Sequence, residues 1–110
     1  MKPSATYRLF KQAILERKQI ICVYNGKHRE LCPIVLGYKN GEEKCLTFQV
    51  GGESTSQLPP RGEWRCLELS KVRNARMRDG PWREGDQHGR PQACIDIVDL
   101  DVNIPATLRR

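Results

Sequence analysis

Between Ile20 and Val50 the chain reads IICVYNGKHRELCPIVLGYKNGEEKCLTFQV, three apolar or alternating runs separated by two glycine-bearing turns. Asn25-Gly26 sits between the first two runs, and Lys39-Asn40-Gly41 between the second and third. Such pairs suit two-residue hairpins, whose type I′ turn needs positive φ at both central positions. Ile20–Tyr24 and Leu31–Leu36 are apolar at odd and even positions alike, so both faces of these strands are expected to be covered. Pro33 has no N–H to give to a ladder, which places its strand at an edge or at a bulge. Lys44–Val50 alternates, with Leu46, Phe48 and Val50 on one side and Cys45, Thr47 and Gln49 on the other.

Upstream the period changes to that of a helix. Ser4 can cap a helix running to about residue 17, with Tyr7, Phe10 and Ile14 on one face and Leu9 and Ala13 beside them. A helix this short holds only by docking that face. Downstream, Gly51–Gly62 is dense in breakers and is expected to be a loop. Glu63–Leu69 is a strand whose apolar parity changes midway, which predicts a bulge. Lys71–Arg78 is expected to be a basic edge strand. Asp79-Gly80-Pro81 ends it, Trp82–Pro91 is a second loop, and Ala93–Val102 a last strand. The expected architecture is mainly β: a small antiparallel β-barrel over about residues 20–78, an N-terminal α-helix over about 4–17, and a C-terminal loop and strand over about 79–104. With 110 residues, the whole of 1–110 makes one domain.

Charge adds a partner class to this picture. The formal net charge is +6. Residues 1–40 hold eight Lys and Arg against Glu16 and Glu30, and Lys71–Arg83 holds five against Asp79. A cationic face suits an anionic polymer, and it also suits a merely solvated surface. No apolar run approaches the roughly 18 residues of a membrane span, and the N-terminus lacks the apolar core of a secretory signal. A cytoplasmic protein without membrane contact is therefore expected. The five cysteines, at 22, 32, 45, 66 and 94, lack CxxC or zinc-finger spacing. They are expected to be reduced thiols in a metal-free protein.

Chemistry-bearing motifs are sparse. His28 and His88 are isolated, Asp96, Asp99 and Asp101 lie along a strand with apolar neighbours, and Gly51-Gly52 lacks what a phosphate loop requires. No cysteine has an evident base and orienting group. No enzyme and no cofactor are expected. What remains is a polar, cationic set of Arg29, Lys39, Gln49, Arg65 and Lys71, spread over successive strands and able to converge in a barrel groove. Arginine forks suit phosphate, and Tyr38, Trp64 and Trp82 offer stacking faces. An ion pair from Arg65 to Glu30 or Glu63 is the structural alternative.

The order of these motifs resembles the WYL domain family, bacterial ligand-sensing modules with an Sm-like, SH3-type barrel. The likeness runs over about residues 10–80. It is carried by Ala13-Ile14, Lys18-Gln19-Ile20 and Tyr24, then Arg29-Glu30-Leu31-Cys32-Pro33, Leu36-Gly37-Tyr38, and Arg65-Cys66-Leu67-Glu68-Leu69-Ser70-Lys71-Val72. Lys44-Cys45-Leu46 stands where the family has its Trp-Tyr-Leu tripeptide, Glu68 and Lys71 where it usually has arginine, and Ser70 where it has aspartate. Such a domain usually follows a winged helix-turn-helix; here a single helix precedes the barrel, so no duplex-reading module is expected. The resemblance implies a non-catalytic regulatory module, in the manner of a transcription regulator. Arg29, Arg65 and Lys71 would hold the phosphates of single-stranded DNA or RNA, or of a nucleotide-like anion, with Lys39, Gln49, Tyr38 and Trp64 around them. A protein–protein interaction module without a small ligand is the alternative.

Overall fold

A computed structural model describes residues 3–52, 63–82 and 93–102. Helix α1, Ala5–Glu16, is followed by β1 (Gln19–Tyr24), β2 (Lys27–Lys39), β3 (Glu42–Gly52) and β4 (Glu63–Glu68). A 3-10 turn over Leu69–Lys71 leads to β5 (Val72–Arg78), and β6 spans Ile97–Asp101. All strand pairs are antiparallel, in the order β4-β3-β2-β1-β5, with β6 also on β2. The mainly β class and the helix are as expected. Among the described residues β4 and β5 are not paired, so the sheet is open at those two edges and the expected closed barrel is not established.

Both hairpins take the backbone that their turn residues allow. Asn25 and Gly26 have φ of 53° and 74°, and Asn40 and Gly41 have 53° and 78°. Register then follows directly, with Tyr24 opposite Lys27 and Lys39 opposite Glu42. At Pro33 the ladder shifts: Pro33 pairs with Thr47, but Val35 pairs with Leu46, leaving Ile34 extra. Of the two expected arrangements for Pro33, the bulge is therefore the one present, and it lies inside the sheet.

The alternation defines two faces. Ile20, Cys22, Leu31, Leu36, Cys45 and Leu67 share the first face, on which α1 lies. Ser4 accepts from the Tyr7 amide at 3.0 Å and caps the helix, and its own N–H and hydroxyl bond Glu43. Tyr7, Phe10, Ala13 and Ile14 are buried, and Tyr7 stacks on Tyr38 with centroids 5.3 Å apart. The Tyr7 hydroxyl donates to Asp99 at 2.7 Å, and burial together with that carboxylate holds its pKa far above the usual tyrosine value. Lys11 reaches the same carboxylate.

The second face is covered by chain rather than helix. Pro81 accepts from the Gln19 side-chain amide at 2.7 Å, and Asp96 donates its N–H to the Tyr38 carbonyl at 3.0 Å. Gly37 makes this crossing possible, because a Cβ there would collide with the Ile97 carbonyl and the Ile95 side chain. Here the expectation of five free thiols is corrected. Cys66 and Cys94 form a disulfide with their Cα atoms 5.7 Å apart, joining β4 to the segment that enters β6. Cys22, Cys32 and Cys45 are free and buried. Disulfides persist chiefly in oxidising surroundings, so this bond argues against a permanently reduced setting.

Two smaller expectations also change. β4 keeps an unbroken register with β3 from Gln49–Glu63 to Lys44–Glu68, so there is no bulge in it. The apolar parity shifts because Leu67 packs on the first face while Trp64 packs on the second, and Leu69 already belongs to the 3-10 turn. Gly51 and Gly52 extend β3 instead of opening a loop. The rest of that expected loop, most of the loop after Trp82 with His88, and residues beyond 102 lie outside the described residues. No helix among the described residues is long and apolar enough to cross a membrane.

Candidate functional site

Three of the five cationic and polar residues converge. Leu31 pairs with Gln49 and Thr47 with Arg65, which places Gln49 and Arg65 on the first face beside Arg29. The Gln49 side-chain oxygen accepts from Arg29 Nη1 and from Arg65 Nε, each at 3.2 Å. Its amide nitrogen donates to the Gly51 carbonyl at 2.9 Å, which fixes the orientation of the acceptor. Gln49 is wholly buried and Arg29 is 5% exposed, while the Arg65 side chain keeps 21% of its surface. Arg29 Nη2 points to the Tyr24 carbonyl at 3.5 Å, and its guanidinium lies 5.7 Å from the centre of the Tyr24 ring. Glu63 stands 2.6 Å from Arg65 Nη2, the ion pair foreseen as the structural alternative.

This end of the first face therefore holds two guanidiniums on one amide oxygen, an aromatic ring beneath one and a carboxylate beside the other. The two guanidiniums outnumber the single carboxylate of Glu63, so the site carries a net positive charge. Its positive field also bears on Cys22: burial pushes that thiol up to about 11, against the opposing pull of Arg29.

The other sites lie elsewhere for geometrical reasons. Tyr38 and Lys39 are on β2 like Arg29, but nine or ten strand steps of about 3.3 Å carry them roughly 30 Å along the sheet. There Tyr38 is stacked on Tyr7, and Lys39 donates to the Ala93 carbonyl at 2.6 Å. Trp64 adjoins Arg65 in sequence and so points to the opposite face, where its ring meets Phe48 edge-on at 5.2 Å. Trp82 is half-buried against the core. Lys71, in the 3-10 turn, pairs with Glu68 at 2.9 Å, and Lys44 reaches the same carboxylate at 3.0 Å. Tyr24 was not among the site residues expected from the sequence; its place at the Asn25-Gly26 turn, on the same face as Arg29 and two register steps from the Cys22–Arg29 pair, was the available signal.

The lysine pair holds the Glu68 carboxyl below its ordinary value of 4.5, chiefly through the Lys71 hydrogen bond and then that of Lys44. A depressed carboxylate contributes stability that is complete above 4.5 and is lost as pH falls through the lower folded value. Denaturant midpoints followed from about pH 7 to pH 3 should therefore fall less steeply for Glu68→Gln than for the parent protein. Parallel profiles would show that the pair contributes nothing in solution.

Comparisons with protein-family models, with curated proteins and with solved structures find no match to this chain.

Proposed function

We propose that this domain is a non-catalytic binding module for single-stranded nucleic acid or a nucleotide-like anion, in the regulatory manner implied by its WYL resemblance. The observation that carries the reading is the convergence of Arg29 and Arg65 on the Gln49 oxygen. Guanidiniums held in place by packing and hydrogen bonds lose little freedom when an anion arrives, which lowers the side-chain ordering cost of such contacts. Arg65 is the reachable member, so the ligand's phosphate meets it first and competes with Glu63. Tyr24 supplies the aromatic ring next to the pair.

Arginine side-chain NMR tests this with a nucleoside monophosphate and a single-stranded oligonucleotide as probes. The Nε–H resonance of Arg65 is expected to shift and saturate with either probe at low salt. In Arg65→Lys, which retains the charge but not the planar fork, both probes are expected to bind several-fold more weakly. An Arg65 resonance indifferent to both probes would remove the site. A protein-docking role has one observation in its favour: Ile97 and Val98 on β6 are 67% and 47% exposed. If neither probe binds, that role becomes the better reading.

A further inference from the structure

A second cationic element lies on β5, which the groove reading did not use. In the pairing with β1, Val23 meets Arg73 and Ile21 meets Arg76, so β5 spends three residues where β1 spends two. The extra length is taken up at Asn74, whose φ is 55°. Without this bulge Arg73 and Arg76 would point to opposite faces. With it, Arg73, Arg76 and Arg78 (opposite Gln19) share the second face of the sheet. All three are exposed and stand on an edge strand. Arg78 is tied to Gln19 and Glu30. Arg73 Nη1 donates to the carbonyls of Ser70 and Val72. The Arg76 side chain makes no hydrogen bond or ion pair among the described residues.

Resting on the nucleic-acid reading above, we infer that this stripe is a second, separate contact with the sugar–phosphate backbone of a single strand. Neighbouring same-face positions on a strand lie about 7 Å apart, a step comparable to that between consecutive phosphates of an extended chain. Each guanidinium offers several donors in a fork that fits phosphate oxygens. An acidic peptide added as a further strand would compete for the same charge. The observations favour phosphate, because the bulge interrupts the row of backbone donors and acceptors that an added strand must follow. The contact reads charge and spacing, so the stripe adds affinity without sequence preference.

The test is fluorescence anisotropy of a labelled oligothymidine at several salt concentrations, using the parent protein, the double variant Arg73→Gln/Arg76→Gln, and Arg65→Lys. Both substituted positions of the double variant are exposed, and denaturant midpoints check that its fold is kept. Removing two phosphate contacts is expected to lower the magnitude of the slope of log K against log salt by about 1.4, at about 0.7 per contact. An unchanged slope in the double variant, with binding weakened in Arg65→Lys, overturns the stripe and leaves the function standing. No binding by the parent protein at low salt overturns both. Displacement of the oligonucleotide by polyglutamate at equal charge concentration, lost in the double variant, overturns the ligand class.

Discussion

Reduction of the Cys66–Cys94 bond is expected to lower the stability of the fold by about 3–4 kcal/mol. The bond joins positions 28 residues apart, and the chain-entropy model gives about this loss when a loop of that length is opened in the unfolded chain. Its position argues for the full effect. Cys94 and Ile95 are buried and precede β6, so the bond anchors the chain that covers the second face. The buried thiols of Cys22 and Cys45 are poor nucleophiles for rearranging it, since burial raises both and leaves little thiolate. Alkylation after unfolding without reductant should modify three cysteines, and after reduction all five. Five modified cysteines without reductant, or a Cys66→Ser variant as stable as the parent, would show that the bond does not form.

Phe10→Ala is expected to cost about 3–5 kcal/mol, through lost transfer energy and the cavity left behind. Phe10 is 0% exposed, and it stands between Tyr7 and Ile14 on the face of α1 that covers the first face of the sheet. Ile14→Val, which removes one methylene from the same face, should cost about 0.5–1.5 kcal/mol. Denaturant midpoints measure both. If neither moves, α1 does not belong to the cooperative unit, and the first face must be covered in another way.

The parts of this fold that the sequence made legible are those fixed by local chemistry. Asn25-Gly26 and Asn40-Gly41 set positive φ, and with it the register of three strands. Ser4 marked the start of α1, Pro33 narrowed its strand to an edge or a bulge, and the basic run from Lys71 to Arg78 announced an edge. Non-local placement was harder to read. Cys66 and Cys94 meet because the chain before β6 crosses the second face, which no local spacing reports. The open edges of β4 and β5 depend on long-range pairing in the same way. At the candidate site, Gln49 and Arg65 could be joined to Arg29 because all three lie on adjacent strands near one end. Lys39 and Tyr38 failed to join them because β2 is long. Lys71 failed because the 3-10 turn directs it to Glu68. The bulge at Asn74 was hidden because Asn is common in many other settings.

If this cationic β-rich chain holds an anionic strand, as proposed, the salt dependence of binding shows it most directly. A labelled single-stranded oligonucleotide is titrated with the unmodified, oxidised protein at stepped salt concentrations. With about four phosphates contacted, log K should fall linearly against log salt with a slope of roughly −3. No binding at low salt, or an affinity that salt leaves unchanged, would contradict the account.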